Sequence, residues 1–199
     1  MQGKVVGGER IMQQELIQAI INTVREHIKG LHTACPGKII SYDTETGLAT
    51  VLPIMKFKTP SGDVIDYPQI TGVPVWMPQA LGQQATIAYP VKANDGCLVV
   101  FAEQSLDFWM YGQETDTDLG FDLTNAICIP GLFPTANPVV KEACDNNSLI
   151  IDVKGTRLSV KDGSISNKGN ISIEGDLNVK GNTVMTGNLT TSGGTVNLN

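Results

Sequence analysis

Apolar positions follow three different rhythms along the chain. Over residues 9–29 they recur at Ile17, Ile21, Val24 and Ile28, with Leu31 just beyond. That 4-3-4-3 spacing places them on one side of a helix. Gly30 suits a C′ glycine, and Glu9 at the start with His27 and Lys29 at the end match the helix dipole. Isoleucine at both a- and d-type positions favours three- or four-stranded association. Leu16 and Ile20 widen the stripe, so packing of the helix on its own domain stands as the alternative. Six charges along it exclude a membrane-spanning role.

From residue 38 the rhythm shortens to alternation. Residues 38–42 and 48–57 read as strands joined by the turn Asp43-Thr44-Glu45-Thr46-Gly47, and residues 56–67 as a hairpin around Pro60-Ser61-Gly62-Asp63. Residues 73–77, 84–89 and 96–102 complete five or six short strands, as in an OB-type barrel. Residues 106–111 suit a further strand or a helical turn, and 113–122, with four acids and no base, an exposed loop.

The third rhythm has a period of six. Gly163, Gly169, Gly175, Gly181, Gly187 and Gly193 are evenly spaced, and between them the pattern is G-x-φ-x-φ-x. The φ pairs are Ile171 and Ile173, Leu177 and Val179, Thr183 and Met185, then Leu189 and Thr191; the first unit, with Ile165 and Asn167, is weaker. Two inward residues flanking an outward one make a short strand, and glycine followed by Asn170, Asp176, Asn182 or Asn188 makes the turn. An isolated ribbon of this kind leaves its strand edges open. Copies of the same tail winding around a shared axis would close them, with Ile171, Ile173, Leu177, Val179, Met185 and Leu189 as the axis residues. A left-handed β-helix acyltransferase also has a six-residue period, but there an aliphatic residue precedes the glycine. Here Asp162, Lys168, Glu174, Lys180, Thr186 and Ser192 stand in that place, and the repeat holds no histidine.

Composition draws the same divisions. All 11 aromatic residues lie between Tyr42 and Phe133, and all 10 prolines between Pro36 and Pro138. The expected domains are therefore a helical segment (1–33), an OB-fold domain (34–142) and a β-helix (143–199), in a mainly β chain. A net charge of −6 argues against phosphate neutralisation, hence against a nucleic-acid binder. No apolar run reaches membrane-spanning length. No secretory signal pattern is present, and Cys35, Cys97, Cys128 and Cys144 are too far apart for a zinc ribbon. Free, mostly buried thiols and synthesis in a reducing cytoplasm are expected.

Several ordered blocks in the middle segment carry a resemblance. They are Ala49-Thr50-Val51-Leu52-Pro53-Ile54-Met55, Tyr67-Pro68-Gln69-Ile70-Thr71-Gly72-Val73-Pro74-Val75, the run from Tyr89 through Asn94-Asp95-Gly96-Cys97 to Glu103 with Leu106-Asp107-Phe108-Trp109, and Phe121-Asp122-Leu123-Thr124-Asn125-Ala126 with Ile129-Pro130-Gly131. Over residues 36–138 the chain resembles the N-terminal OB domain of the central, membrane-piercing spikes of contractile phage tails. The glycine-repeat tail is similar to the trimeric β-helix that follows it there. The resemblance implies a homotrimer in the virion baseplate, attached under the hub protein, that punctures the host envelope as the sheath contracts. Such spikes often end in a His-x-His tip that binds iron. This chain has no histidine after His32, so no metal or other cofactor is expected, and a separate tip protein would cap a blunt end.

No catalytic constellation is visible. Asp63, Asp66 and Asp95 lie in or near turns, where capping outweighs acid–base work. His27 and His32 lack the i, i+4 spacing of a helical metal pair. No serine sits in G-x-S-x-G. Trp76, Phe101, Phe108 and Trp109 fit a barrel core or subunit packing better than a nucleic-acid stacking platform, given the acidic charge. The alternative function is an OB-fold module for nucleic acid or sugar with a low-complexity tail. A receptor-binding fibre would normally add a globular distal domain.

Overall fold

A computed structural model describes residues 5–59, 61–112 and 119–193. The turn residue Pro60, residues 113–118 of the acidic loop and everything after Gly193 lie outside the described residues. The chain divides into two units, Met1–Thr135 and Ala136–Asn199.

The first unit opens with helix α1 (Val5–Lys29), which begins four residues before Glu9, so no acid lies in its first turn. Its end also differs from expectation. Gly30 does not adopt a left-handed φ; instead its N–H bonds the His27 carbonyl (3.1 Å) and the Leu31 N–H bonds that of Ile28 (3.2 Å), a tightened final turn. Every side chain from Met12 to Ile28 is exposed, so α1 is not packed on its own domain.

Five strands follow in one curled sheet, in the order β5-β2-β1-β8-β9. They are β1 (Ala34–Asp43), β2 (Leu48–Pro53), β5 (Ile70–Pro74), β8 (Gly96–Phe101) and β9 (Ala126–Pro130). All neighbouring pairs are antiparallel. Strict alternation on β2 and β8 sends Ala49, Val51, Cys97, Val99 and Phe101 inward to meet Cys35, Ile39, Ala126 and Cys128. This sheet forms a half-barrel. The chain after β5 crosses to β9 through one parallel bridge, Val75 to Cys128, with the Trp76 N–H donating to the Cys128 carbonyl (2.8 Å).

Two irregularities set the curl. On β5, Ala49 faces Val73 and Val51 faces Ile70, so Thr71 and Gly72 together stand opposite one residue of β2. This bulge, with Gly72 at φ +70°, lets Ile70 and Val73 both point inward although they are three apart. On β1 the pairing slips between Ile39 and Ser41, where Ile39 exchanges backbone bonds with Asn94 and Asp95 instead. Pro36 is tolerated in this central strand because its carbonyl accepts from the Ile54 N–H (2.9 Å) just where β2 has ended. A strand residue's N–H and C=O point the same way, so the missing donor would face Ile54, beyond the last residue of β2, and costs no bond within the β1–β2 ladder.

The expected strand 48–57 is broken: Pro53 ends β2, and β3 (Lys56–Lys58) turns away to pair with β4 (Val64–Asp66) as a separate hairpin. The expected strand 84–89 shrinks to β7 (Ala85–Thr86), paired only with β6 (Gln79–Ala80); residues 81–90 are exposed and Ile87 finds no core to fill. Residues 106–111 hold a helical turn, α2 (Asp107–Tyr111). Phe101 is buried, but Trp76, Phe108 and Trp109 are exposed rather than in the core.

Three of the four cysteines line the barrel interior. Cys35, Cys97 and Cys128 are free and buried, whereas Cys144 is exposed. Burial and the neighbouring Cys97 push the Cys35 thiol up. The hydrogen bond with Cys97, then burial, does the same for Cys128. These thiols act as small apolar side chains.

Gly96 is fixed by proximity: a Cβ there would lie 2.0 Å from the Leu132 carbonyl oxygen. Gly96→Ala should therefore cost about 1–3 kcal/mol, read as a lower urea midpoint with an unchanged slope.

Candidate assembly interface

The second unit begins with α3 (Pro138–Asp145), missed in the sequence although Asn137-Pro138 announces it. The Asn137 side chain accepts from the Val139 N–H (2.9 Å), and Pro138 occupies the first turn. Three strands follow as an antiparallel meander: β10 (Leu149–Val153), β11 (Thr156–Lys161) and β12 (Ser164–Lys168). A triple-stranded β-helix is not among these elements, and residues 149–168 pair within the one chain instead. Gly163, the first glycine of the repeat, sits in the β11–β12 turn.

Arg157 organises the unit. It stands directly across from Asp152, and its Nε donates to the Asp152 carboxylate at 2.9 Å. Its Nη1 donates to both carboxylate oxygens of Glu142 on α3 at 2.7 Å. The helix is thereby tied to one face of the meander. The Arg157 hydrogen bond, then the Gly155 N–H, holds the Asp152 carboxyl below the usual carboxylate range.

The other face has no cover. Directly opposed residues of an antiparallel pair share a face. The pairs Leu149–Val160, Ile151–Leu158 and Val160–Ile165 therefore form one apolar surface, continued by Val153. Leu149, Ile151, Val153, Leu158 and Ile165 are all exposed. Of these, only Ile165 stood out in the sequence, as part of the weak first repeat unit, although the alternation Leu149-Ile151-Val153 was the signal for the others.

Beyond β12 the described part of the repeat continues without strand partners. Residues 169–193 form no strand, and no backbone-to-backbone hydrogen bond joins the described residues after Ser148 outside the meander. The six expected axis residues Ile171, Ile173, Leu177, Val179, Met185 and Leu189 are between 53% and 70% exposed. The backbone is nevertheless periodic. Gly169, Gly175, Gly181 and Gly187 have φ of +135°, +125°, +133° and +131°. Gly163 at +69° and Gly193 at +82° differ from them. A Cβ at Gly175, Gly181 or Gly187 would meet nothing within 4 Å, so backbone conformation alone favours glycine there.

The polar candidates of the first unit have local partners. Asp63 accepts from the Ser61 hydroxyl (2.7 Å), Asp95 from the Lys92 N–H (2.8 Å), and Asp66 pairs with Lys56. The His32 ring lies edge-on to Tyr67 and tilted against Phe101, and the His32 backbone N–H donates to the Phe121 carbonyl (2.9 Å). Among the described residues no group of three or more His, Cys, Asp or Glu is arranged to hold a metal ion. No described helix is long and apolar enough to cross a membrane.

Because the folded state lowers the Asp152 pKa, the stability this carboxylate adds is complete above the usual carboxylate range. It is lost as pH falls through the depressed value. Arg157→Met should weaken the α3–meander unit at neutral pH and flatten that acid limb, as followed by circular dichroism across an acid titration.

Residues 35–131, just under half of the chain, match the family model described as phage protein Gp138 N-terminal domain. The match covers the half-barrel from the second residue of β1 to the residue after β9. No curated protein matches the chain. The half-barrel segment is thus similar to a phage protein domain, in keeping with a phage structural protein.

Proposed function

We propose that the chain is the central spike of a contractile-tail baseplate, working as a homotrimer. The half-barrels form a collar beneath the hub, and the glycine-repeat tails wind together as a β-helix that is driven into the host envelope when the sheath contracts. The role is mechanical, with neither catalysis nor a cofactor, and a separate protein caps the blunt end.

One observation carries this reading. Between Ala136 and Gly193 the chain makes a helix, three paired strands and a regular glycine repeat, yet none of these residues is buried. A unit with no core of its own gains little from the hydrophobic effect until something covers its apolar face. The repeat presents pairs of mostly apolar residues at a fixed period, a surface suited to copies of itself. The phage-domain match of the half-barrel supports the setting.

A second reading, an OB-type module that stacks single-stranded nucleic acid, is favoured by the exposure of Trp76, Phe108 and Trp109. The net charge of −6 opposes it.

Light scattering on a sizing column separates the two. The spike reading expects about 64 kDa, three times the 21.3 kDa chain, with early elution. A 21.3 kDa monomer with a protease-sensitive tail would overturn it. Ile173→Asp or Val179→Asp should abolish the association of the tails by placing like charges around one axis, read as protease sensitivity of residues 149–193. Asn178→Ala and Lys180→Ala, on the opposite side of the alternation, should leave it intact. A particle whose apex is formed by the chain's own C-termini would remove the tip protein from this scheme.

A further inference from the structure

The apolar face of α1 finds no place in the fold. Ile17, Ile21, Val24, Ile28 and Leu31 are all exposed, from 38% at Ile21 to 60% at Ile28, and α1 runs for 25 residues. We infer that α1 is a self-association element: three copies of the chain pack their helices in parallel along this seam. The inference rests on α1 alone and stands whether or not the tail forms a β-helix.

Three features select this occupant. The first is residue choice. With Ile17, Val24 and Leu31 at d and Ile21 and Ile28 at a, the core layers are β-branched at both kinds of position except the last, which favours three strands over two.

The second is charge. Over residues 13–31 the a, d and g positions carry Gln13, Gln14, Ile20 and His27 besides the five seam residues, and no Asp, Glu, Lys or Arg. Glu15 and Lys29 fall at b, Arg25 at e and Glu26 at f, outside the seam. Over residues 13–31 parallel copies therefore meet without burying a fixed charge and without opposing like charges at g and e; the same register places Arg10 at d, beyond that stretch. A partner recognised by charge would find nothing on this face to pair with.

The third is anchorage. The stripe continues past the helix through Leu31, and His32 is fixed to the half-barrel by its bond to the Phe121 carbonyl and its ring contacts with Tyr67 and Phe101. The base of each helix is thus held at a defined point on its own barrel, and three equivalent copies would present equivalent helix ends. Parallel packing follows from that equivalence.

The test uses the full chain with the exposed Cys144 replaced by serine. Val24→Cys, at a d position, and Asn22→Cys, at b, are each treated with a short bismaleimide and resolved on a denaturing gel. Ile28→Cys at a gives a second seam position should Val24→Cys fail to fold. Each chain then offers one accessible thiol, so three around an axis can join only two at a time. The expected result is covalent dimer levelling off at about two thirds of the chains for the seam cysteines, and little for Asn22→Cys.

Conversion of nearly all chains would mean a two-stranded seam and overturn the inference. So would equal linking at residues 22 and 24, or none at either seam position. Adding Ile173→Asp separates this from the tail reading: linkage at Val24→Cys should persist even where the tail variant has lost its own association.

Discussion

Backbone polar groups have to be paired, and the two units of this chain meet that requirement in opposite ways. The half-barrel satisfies its strands internally, closing β5 towards β9 through Val75, Trp76 and Cys128. The tail does so only as far as Lys168. After that the glycine repeat continues, and among the described residues no backbone-to-backbone hydrogen bond pairs its amides and carbonyls. Everything proposed for the tail follows from that change, since extended backbone beside exposed Ile, Leu and Val has its natural complement in another strand.

The half-barrel is small, with eleven buried apolar residues, three of them cysteine. Its economy lies in irregularities. The Thr71–Gly72 bulge recovers an inward side chain that strict alternation would lose, and the slip at Ile39 hands a central strand to the 94–95 turn. Asp122 closes the circuit from the other side: its carboxylate accepts from the Thr124 N–H and hydroxyl, which hold it below the usual range, and so caps the short 3-10 turn that leads into β9. These local devices allow a compact sheet to form from short strands in a segment that holds eight of the chain's ten prolines.

Much of this was legible in the sequence where one periodicity ran undisturbed. Helix α1 and strand β8 stand close to their expected places because four or more consecutive residues obey a single rule. Expectation failed where a residue's partner is distant. β2 stops at Pro53 although the Ile54 N–H beyond it still bonds the Pro36 carbonyl, and Ile87 looks like a strand residue until the fold offers it nothing to pack against. The meander was hidden for a different reason. Gly163 shares the spacing of the later glycines but not their conformation, and spacing alone cannot distinguish a hairpin turn from a step in a repeat. The glycine repeat was plain to read, while the uncovered face from Leu149 to Ile165 emerged only with the pairing register.

A sequence that repeats every six residues has an inherent ambiguity: two copies displaced by one repeat unit match almost as well as two in phase. The meander removes it. Arg157, Asp152 and Glu142 form a non-repeating arrangement that ties α3, β10 and β11 together, and Lys168, the last residue of β12, stands opposite Arg157 where the periodic stretch begins. Copies that join along the tail thus start from a common origin, and the meander acts as the index mark of a ruler whose own graduations are all alike.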